Sequence, residues 1–260
     1  MRAVWSGAIG LGMINIPIKL YLAVGKTPIK LSRLSRCCVS QVGNKYYCKG
    51  CEREIDYNDW DKGFEIAKGE FVKITQEQIE AVKIPSEESI DLFSFVPVET
   101  INPIWRSGDS YYIGIGESKG KKNKVGRKAY TLLKQVLDLK GLAGIGKLCQ
   151  RGKESLVMVD SYKKGLLLTK LYFAEQIRED EGVFFEGVEI TPEEEKLGLE
   201  LVEQLENRFK YEEHRDGYIE SLQRIIEGEP ITEVVESKKE VHEESIVALL
   251  KQSVEAKATA

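Results

Sequence analysis

The chain has 260 residues, 42% hydrophobic and 31% charged, which supplies one large or two modest cores and excludes a disordered chain. No apolar run reaches the roughly 18 to 20 residues that span a bilayer, and the start lacks a charged segment leading into an apolar one with a cleavage site, so neither a membrane nor a secreted protein is expected. The net charge of −4 hides strong segregation: residues 1–51 hold eight Lys/Arg and no acid, 52–114 hold six basic and fourteen acidic, 115–170 fourteen and four, and 171–260 ten and twenty-four. Two basic blocks interleaved with an acidic one indicate a surface divided by a fold, and a basic face commonly meets phosphate.

The opening Ala8 to Tyr21 mixes β-branched residues with Gly and Pro and predicts extended strands with bends. Tyr46-Tyr47 and Gly63 to Ile74 alternate apolar with polar, and Lys68-Gly69 breaks the second stretch as a hairpin turn does. Thr75-Gln76-Glu77-Gln78 is a capping-box pattern opening a short helix through about Val82. Asp91–Val98 and Tyr111–Ile115 read as strands around a Pro103–Asp109 turn region. Ala129, Leu132, Leu133, Val136 and Leu137 mark an amphipathic helix ending near Gly141. Leu156–Val159 and Leu166–Phe173, joined by Asp160–Gly165, read as a hairpin. Residues 1–177 are therefore mainly β, most simply a β-barrel or folded sheet.

Thr191, Pro192 and Glu194 form the start of a helix on which Leu197, Leu201, Leu205 and Phe209 keep a four-residue spacing. A second helix carries Tyr218, Ile219, Leu222, Ile225 and Ile226 and stops at Gly228. Residues 178–228 thus form a helical arm whose apolar stripes need a surface to cover, either the barrel or another copy of the chain. Residues 229–260 are a polar linker and a short segment in which Ile246, Leu249, Leu250 and Val254 recur at helical spacing. That segment is too short to be stable alone and is expected to order on a partner.

The five cysteines fit a reducing cytoplasm better than a disulfide scaffold. Cys48-Lys49-Gly50-Cys51 is a CxxC, and Cys37-Cys38 precede it; thiolates at that spacing reach one tetrahedral Zn²⁺ at about 2.3 Å. Adjacent residues point apart in an extended strand, so Cys37 and Cys38 could share a metal only across a kink. The four read either as a structural zinc site or as the reduced thiols of a degenerate one. Gly10-Leu11-Gly12 and Gly144-Ile145-Gly146 read as turns or close backbone approaches. His214 and His242 read as solvated imidazoles, and Glu193 to Glu195 as charges favoured at a helix N-terminus. No P-loop, HExxH, GxSxG or dinucleotide-binding motif occurs, so no catalytic residues are assigned and no cofactor is expected to be required for activity.

The stretches Trp5–Ile9 and Gly12–Tyr21 closely resemble the N-terminal signature of prokaryotic Ku, the DNA-end-binding protein of non-homologous end joining. The resemblance continues through Cys48 and Cys51, Asp61–Glu65, Lys68–Val72, Ile101–Ile104, Tyr111-Tyr112, Lys128–Leu133, Tyr172–Arg178, Glu200–Val202 and the Tyr211 to Tyr218 stretch, to about residue 228. It implies a Ku-type β-barrel core with a bridging β-ribbon and C-terminal helices, two copies closing a ring around double-stranded DNA ends. The ribbon would span roughly residues 28–68 and turn Lys30, Arg33, Arg36, Lys45 and Lys49 toward DNA, with Lys121, Lys122, Lys124, Arg127 and Arg151 in the second basic block. Ile246, Leu249 and Leu250 resemble the family segment associated with recruiting an ATP-dependent DNA ligase, ligase D. Where relatives carrying HxxC before the CxxC have histidine, this chain has Ser35, and Cys37 is the residue placed to substitute. The localisation implied is cytoplasmic and nucleoid-associated. Two other classes remain as comparators: a zinc-ribbon transcription regulator, which would bind internal sites and prefer a sequence, and a nucleic-acid enzyme, for which Glu117, Asp138, Glu154 and Asp160 offer no motif spacing.

Overall fold

In chain order the strands are β1 (Trp5–Leu11), β2 (Ile14–Leu22), β3 (Tyr46–Tyr47), β4 (Glu54–Ile55), β5 (Lys62–Ala67), β6 (Glu70–Ile74), β7 (Ser89–Pro97), β8 (Arg106–Ile115), β9 (Leu142–Gln150), β10 (Lys153–Tyr162) and β11 (Gly165–Leu171). The helices are α1 (Gln76–Ala81), α2 (Lys124–Lys140), α3 (Pro192–Leu205) and α4 (Gly217–Ile226). The computed structural model describes residues 1–25, 29–56, 58–83, 88–116, 124–150, 152–185, 187–206, 208–229, 247 and 249–251. The chain divides into two units, Met1–Pro28 with Ser32–Glu179, and Ile29–Leu31 with Asp180–Ala260.

Seven strands of the first unit close a barrel in the order β1-β2-β8-β11-β10-β9-β7. A ring with an odd number of strands cannot alternate direction all the way round, and the exception is the parallel pair β1–β7, with Ala8 beside Ser89 and Gly10 beside Asp91. Parallel neighbours need a long connection, and here it runs from the end of β2 to the start of β7. Leu20 pairs with Trp5 and Ser89 with Ala8, so the connection leaves and returns at one end of the barrel. It carries two small sheets, β3–β4 and β5–β6, neither sharing a hydrogen-bonded strand with the barrel. The expected β-barrel with separate ribbon elements and C-terminal helices is thus the observed fold.

Pro17 is tolerated inside β2 because of where its missing donor points. Its carbonyl accepts from Gly116 N–H at 2.8 Å, one step past the last ladder pair, Ile18 with Ile115. Nitrogen and carbonyl of one residue face the same neighbour in an antiparallel ladder, so the absent N–H falls beyond the ladder's end.

The expected turn at Pro103–Asp109 is corrected: β8 already begins at Arg106. Leu171 pairs with Arg106 and Thr169 with Ser110, leaving three residues of β8 against one of β11, and Gly108 takes φ 83° in this bulge. The strand β9 occupies a stretch where only glycine pairs are legible. A Cβ on Gly146 would lie 2.8 Å from the Asp91 carbonyl oxygen, and one on Gly144 2.9 Å from Leu92 Cδ1, so these glycines mark close approach of β9 to β7. Gly12, at φ 57°, does make the β1–β2 turn. Thr75 and Gln78 close the expected capping box of α1, and Gly69, at φ 85°, turns β5 into β6.

Both strands joined by α2 meet it at the barrel end opposite the connection, since Ile115 pairs with Ile18 and Leu142 with Pro97. The helix lies against β2, β8, β9 and β10. Its buried stripe is Gly126, Tyr130, Leu133 and Leu137. The expected stripe is half right: Leu133 and Leu137 join the core with Ile9, Ile16, Leu20 and Leu168, while Leu132 and Val136 stay exposed beside an apolar groove of about 480 Å³ lined also by Leu11, Ile14 and Phe95. Tyr130 supplies the rest. Its hydroxyl donates to the Ile113 carbonyl at 2.6 Å and accepts from Leu166 N–H at 3.0 Å, tying the helix to β8 and β11, and burial pushes its pKa up. A second cluster, Ile101, Ala143, Met158 and Leu171, packs with Val96, Val98, Ile145 and Leu156.

In the second unit α3 begins as expected, with Thr191 and Glu194 in a capping box and Pro192 at the first position. It ends at Leu205, so Phe209 is not on it; that ring instead stacks on His214, with centroids 5.1 Å apart. Asp216 caps α4 by accepting from Tyr218 and Ile219 N–H, and Gly228 follows it at φ 84°. Val247 and Leu249–Lys251 are helical, and Lys251 pairs with Glu193 at 2.8 Å.

Replacing Tyr130 by Phe leaves the Leu166 N–H and the Ile113 carbonyl without this partner, and a buried unpaired group costs about 1–3 kcal/mol. Urea unfolding is expected to show a loss of that size, whereas exposed Tyr162→Phe shifts stability by less than about 0.5 kcal/mol. Asp160, half-buried on β10, has an Oδ1 with no hydrogen-bond partner among the described residues; desolvation raises its pKa, opposed by Arg106. Its native pKa lies above the unfolded one, so its contribution to stability falls as pH rises from the unfolded value through the native one. Asp160→Asn is therefore expected to stabilise the protein at neutral pH, the gain vanishing in denaturation measured below the ordinary aspartate range.

Candidate nucleic-acid interface

The long connection between β2 and β7 holds half of the predicted DNA-contacting residues. Arg33, Arg36, Lys45 and Lys49 are all exposed on it, and Arg33, Arg36 and Lys49 make no salt bridge among the described residues. The Arg33 guanidinium donates to Asn44 Oδ1 at 3.2 Å, which sets one arginine against the next loop. Lys45 pairs with Glu54 at 2.9 Å across β3–β4, in water on both sides, where such a pair contributes about 0–1 kcal/mol. Lys30 is exposed too, but belongs to the second unit with Ile29 and Leu31.

The second basic block divides. Lys121, Lys122 and Arg151 lie outside the described residues, as does Ile246 of the tail. Lys124 and Arg127 are exposed in the opening turn and a half of α2, at the barrel end away from the root of the connection. That first turn contains no acid. Cations at the positive end of a helix dipole cost roughly 0.3–1 kcal/mol each, a cost that reverses when an anion sits there. Lys163 and Lys164, which sequence reasoning did not single out, form the β10–β11 turn at the same barrel end, the Lys163 ammonium 5.3 Å from the centre of the Tyr162 ring. Only the β pairing reveals that placement; the signal in the sequence is the pair of lysines in a hairpin turn.

Cys37, Cys38, Cys48 and Cys51 all lie on the connection as free thiols, and Cys149 is buried in β9. The Ser40 hydroxyl, then its backbone and the Ser35 hydroxyl, hold the Cys38 thiol down to about 7. Backbone N–H groups of Cys51 and Gly50 lower that of Cys48. The donor set suits a soft tetrahedral cation. Among the described residues, no three His, Cys, Asp or Glu side chains converge on one metal position. His214 is exposed and stacked on Phe209, and His242 lies outside the described residues.

The connection and the arm also expose apolar rings. Every residue of β5 is exposed, including Phe64, and Phe71 of β6 is 62% exposed. On α4, Tyr218 and Ile226 are 67% and 63% exposed.

Residues 10–199 match the Ku70/Ku80 beta-barrel domain. The chain is 34% identical over 98% of its length to the Non-homologous end joining protein Ku of Archaeoglobus fulgidus, covering 99% of that protein. It is 30% identical over 86% of its length to the protein of the same name from Bacillus subtilis, covering 71% of it. A third, from Symbiobacterium thermophilum, is 29% identical over 88% of the chain, which spans only 55% of that longer protein. A barrel domain matched over most of its strands, and a relative matched nearly end to end, place this chain in the Ku family of non-homologous end joining proteins.

Proposed function

We propose that this chain binds the ends of double-stranded DNA without reading their sequence, as a ring-shaped homodimer, and recruits an ATP-dependent DNA ligase, ligase D, to join them. It performs no catalytic step itself and works in the cytoplasm on the nucleoid. The observation that carries this reading is the β2–β7 connection, rooted at one barrel end, whose first half has no acid through Cys51 and presents Arg33, Arg36, Lys45 and Lys49 in the open. Lysine and arginine that touch phosphate oxygens fix a duplex in place and carry no base preference.

Lys30, Lys121, Lys122, Lys124, Arg127 and Arg151 complete the proposed contact set. A hole closed before DNA arrives admits duplex only at a free terminus, so topology selects ends and the lining need not. The unpartnered apolar faces of α4 and of the β5–β6 hairpin are the surfaces that a second copy would cover. The A. fulgidus, B. subtilis and S. thermophilum relatives are named for end joining, which supports the same assignment.

Linear blunt duplex is expected to be bound while the same sequence closed into a relaxed circle is not; equal binding to the circle overturns the ring. In that assay, changing Lys30, Arg33 and Arg36 together to Glu is expected to abolish binding to the linear duplex and leave the dimer intact. Each phosphate contact contributes about 0.9 to the slope of log affinity against log salt, so changing the three to Ala instead, which removes six contacts from the dimer, should flatten it by about 5.4. Leu249 and Leu250, half-buried and helical in the tail, are the proposed ligase contact with Ile246. Changing both to Asp is expected to leave DNA binding unchanged and to remove stimulation of the ligase in a joining assay.

A further inference from the structure

The terminal segment returns to the start of the helical arm. Val247 and Leu249–Lys251 are helical; Val247, Leu249 and Leu250 are half-buried and Lys251 is exposed. The Lys251 ammonium donates to Glu193 Oε1 at 2.8 Å, 58 positions back in the chain and in the first turn of α3. The other described ion pairs of the arm are local: Lys210 with Glu213, Arg215 with Glu220 and Arg224 with Glu229. Those follow from the turn or helix that carries them, whereas the pair between Lys251 and Glu193 requires the segment to have folded back. A segment this short is not helical by itself in water, so the contact with the arm supplies its order.

Two features of α3 suit it to receive that segment. Its faces differ: Glu194, Leu197, Gly198 and Leu201 recur at helical spacing and are half-buried, while Leu199 and Val202 are 59% and 65% exposed. Glu193 is the i−4 neighbour of Leu197, so its ion pair sets Lys251 at the border of the covered face. The first turn also crowds three carboxylates, Glu193, Glu194 and Glu195, of which Glu194 is engaged by Thr191 in the capping box. A lysine is the charge complement of what remains.

We propose that in the free protein the terminal segment is clasped to the half-buried face of α3, with Lys251 on Glu193 as the latch, and that the ligase has to draw it off before binding Leu249 and Leu250; the second half rests on the reading of those leucines as the ligase contact. The latch is exposed on both sides, and such a pair shifts an equilibrium by no more than about fivefold. That makes it releasable. A ligand whose site is open in only a fraction of molecules binds with its apparent affinity reduced by that fraction, so a weak clasp tunes recruitment without preventing it. It also keeps an apolar strip from other surfaces while no ligase is present.

Hydrogen exchange on the full chain, without ligase or DNA, tests the clasp. Amides of the peptide covering Val247–Lys251 are expected to exchange more slowly than in the same peptide alone. Glu193→Lys should speed them by roughly two- to fivefold, and combining it with Lys251→Glu should restore the protection. Glu195→Lys, which makes the same charge change in the same turn without touching Lys251, should leave them unchanged, and unaltered exchange within α3 shows that the helix still forms. Ligase binding to the Glu193→Lys protein should tighten by about the same factor. Exchange as fast as in the free peptide, equal rates in the two single variants, or no recovery in the charge swap overturns the clasp. Faster exchange with unchanged ligase affinity overturns the masking. If the protein with both Leu249→Asp and Leu250→Asp still stimulates the ligase fully, the ligase reading fails and the masking with it, whereas a freely exchanging segment fails the clasp whatever the ligase does.

Discussion

The barrel has seven strands, and that odd number organises the rest of the molecule. Antiparallel pairing satisfies six of its seven junctions and fails at the seventh, where β1 and β7 run the same way. A parallel junction cannot be closed by a hairpin. The chain leaves at the end of β2, travels through β3 to β6 and α1, and returns at the same barrel end as β7. Every exposed base nominated on the ribbon, and four of the five cysteines, lie on this obligatory detour. Their position outside the barrel thus follows from strand parity before any property of DNA is considered.

The opposite barrel end is closed by α2, and there packing and charge make different demands. Tyr130, Leu133 and Leu137 fill the mouth, with Tyr130 accepting from and donating to two different strands. On the outward side Lys124 and Arg127 set positive charge against the positive end of the helix. A helix selected for stability alone would place acids there, as α3 does with Glu193, Glu194 and Glu195. The contrast between two helices of one chain locates the electrostatic anomaly at the end where Lys163 and Lys164 also lie.

Elements whose stabilising groups are close in sequence were legible in it. Thr75 with Gln78, Thr191 with Glu194, and Lys68-Gly69 each state a local hydrogen bond or turn, and each is found where expected. Elements stabilised by distant partners were not. β9 contains Gly144 and Gly146 because Leu92 and Asp91 of β7 crowd them, and nothing near residue 145 records that neighbour. The stripe on α2 was misplaced for the same reason: Tyr130 is buried by bonds to residues 17 and 36 positions away. Phe209 kept the helical spacing but lies past the end of α3, where spacing alone carries no information about termination. Of the candidate site, charge asymmetry exposed the connection at once, while the placement of Lys163 and Lys164 at the α2 end of the barrel resides in strand pairing and had no counterpart in residue spacing.

Because the detour departs and rejoins beside the same strand, the barrel constrains only the distance between its two feet. Loop closure grows with the logarithm of length, each doubling adding about 0.6 kcal/mol, so insertions there are tolerated at small thermodynamic cost. The seven-stranded core can accordingly remain fixed while the segment between Leu22 and Ser89 lengthens, shortens or acquires new ligands, and divergence in such proteins is expected to concentrate in that cassette.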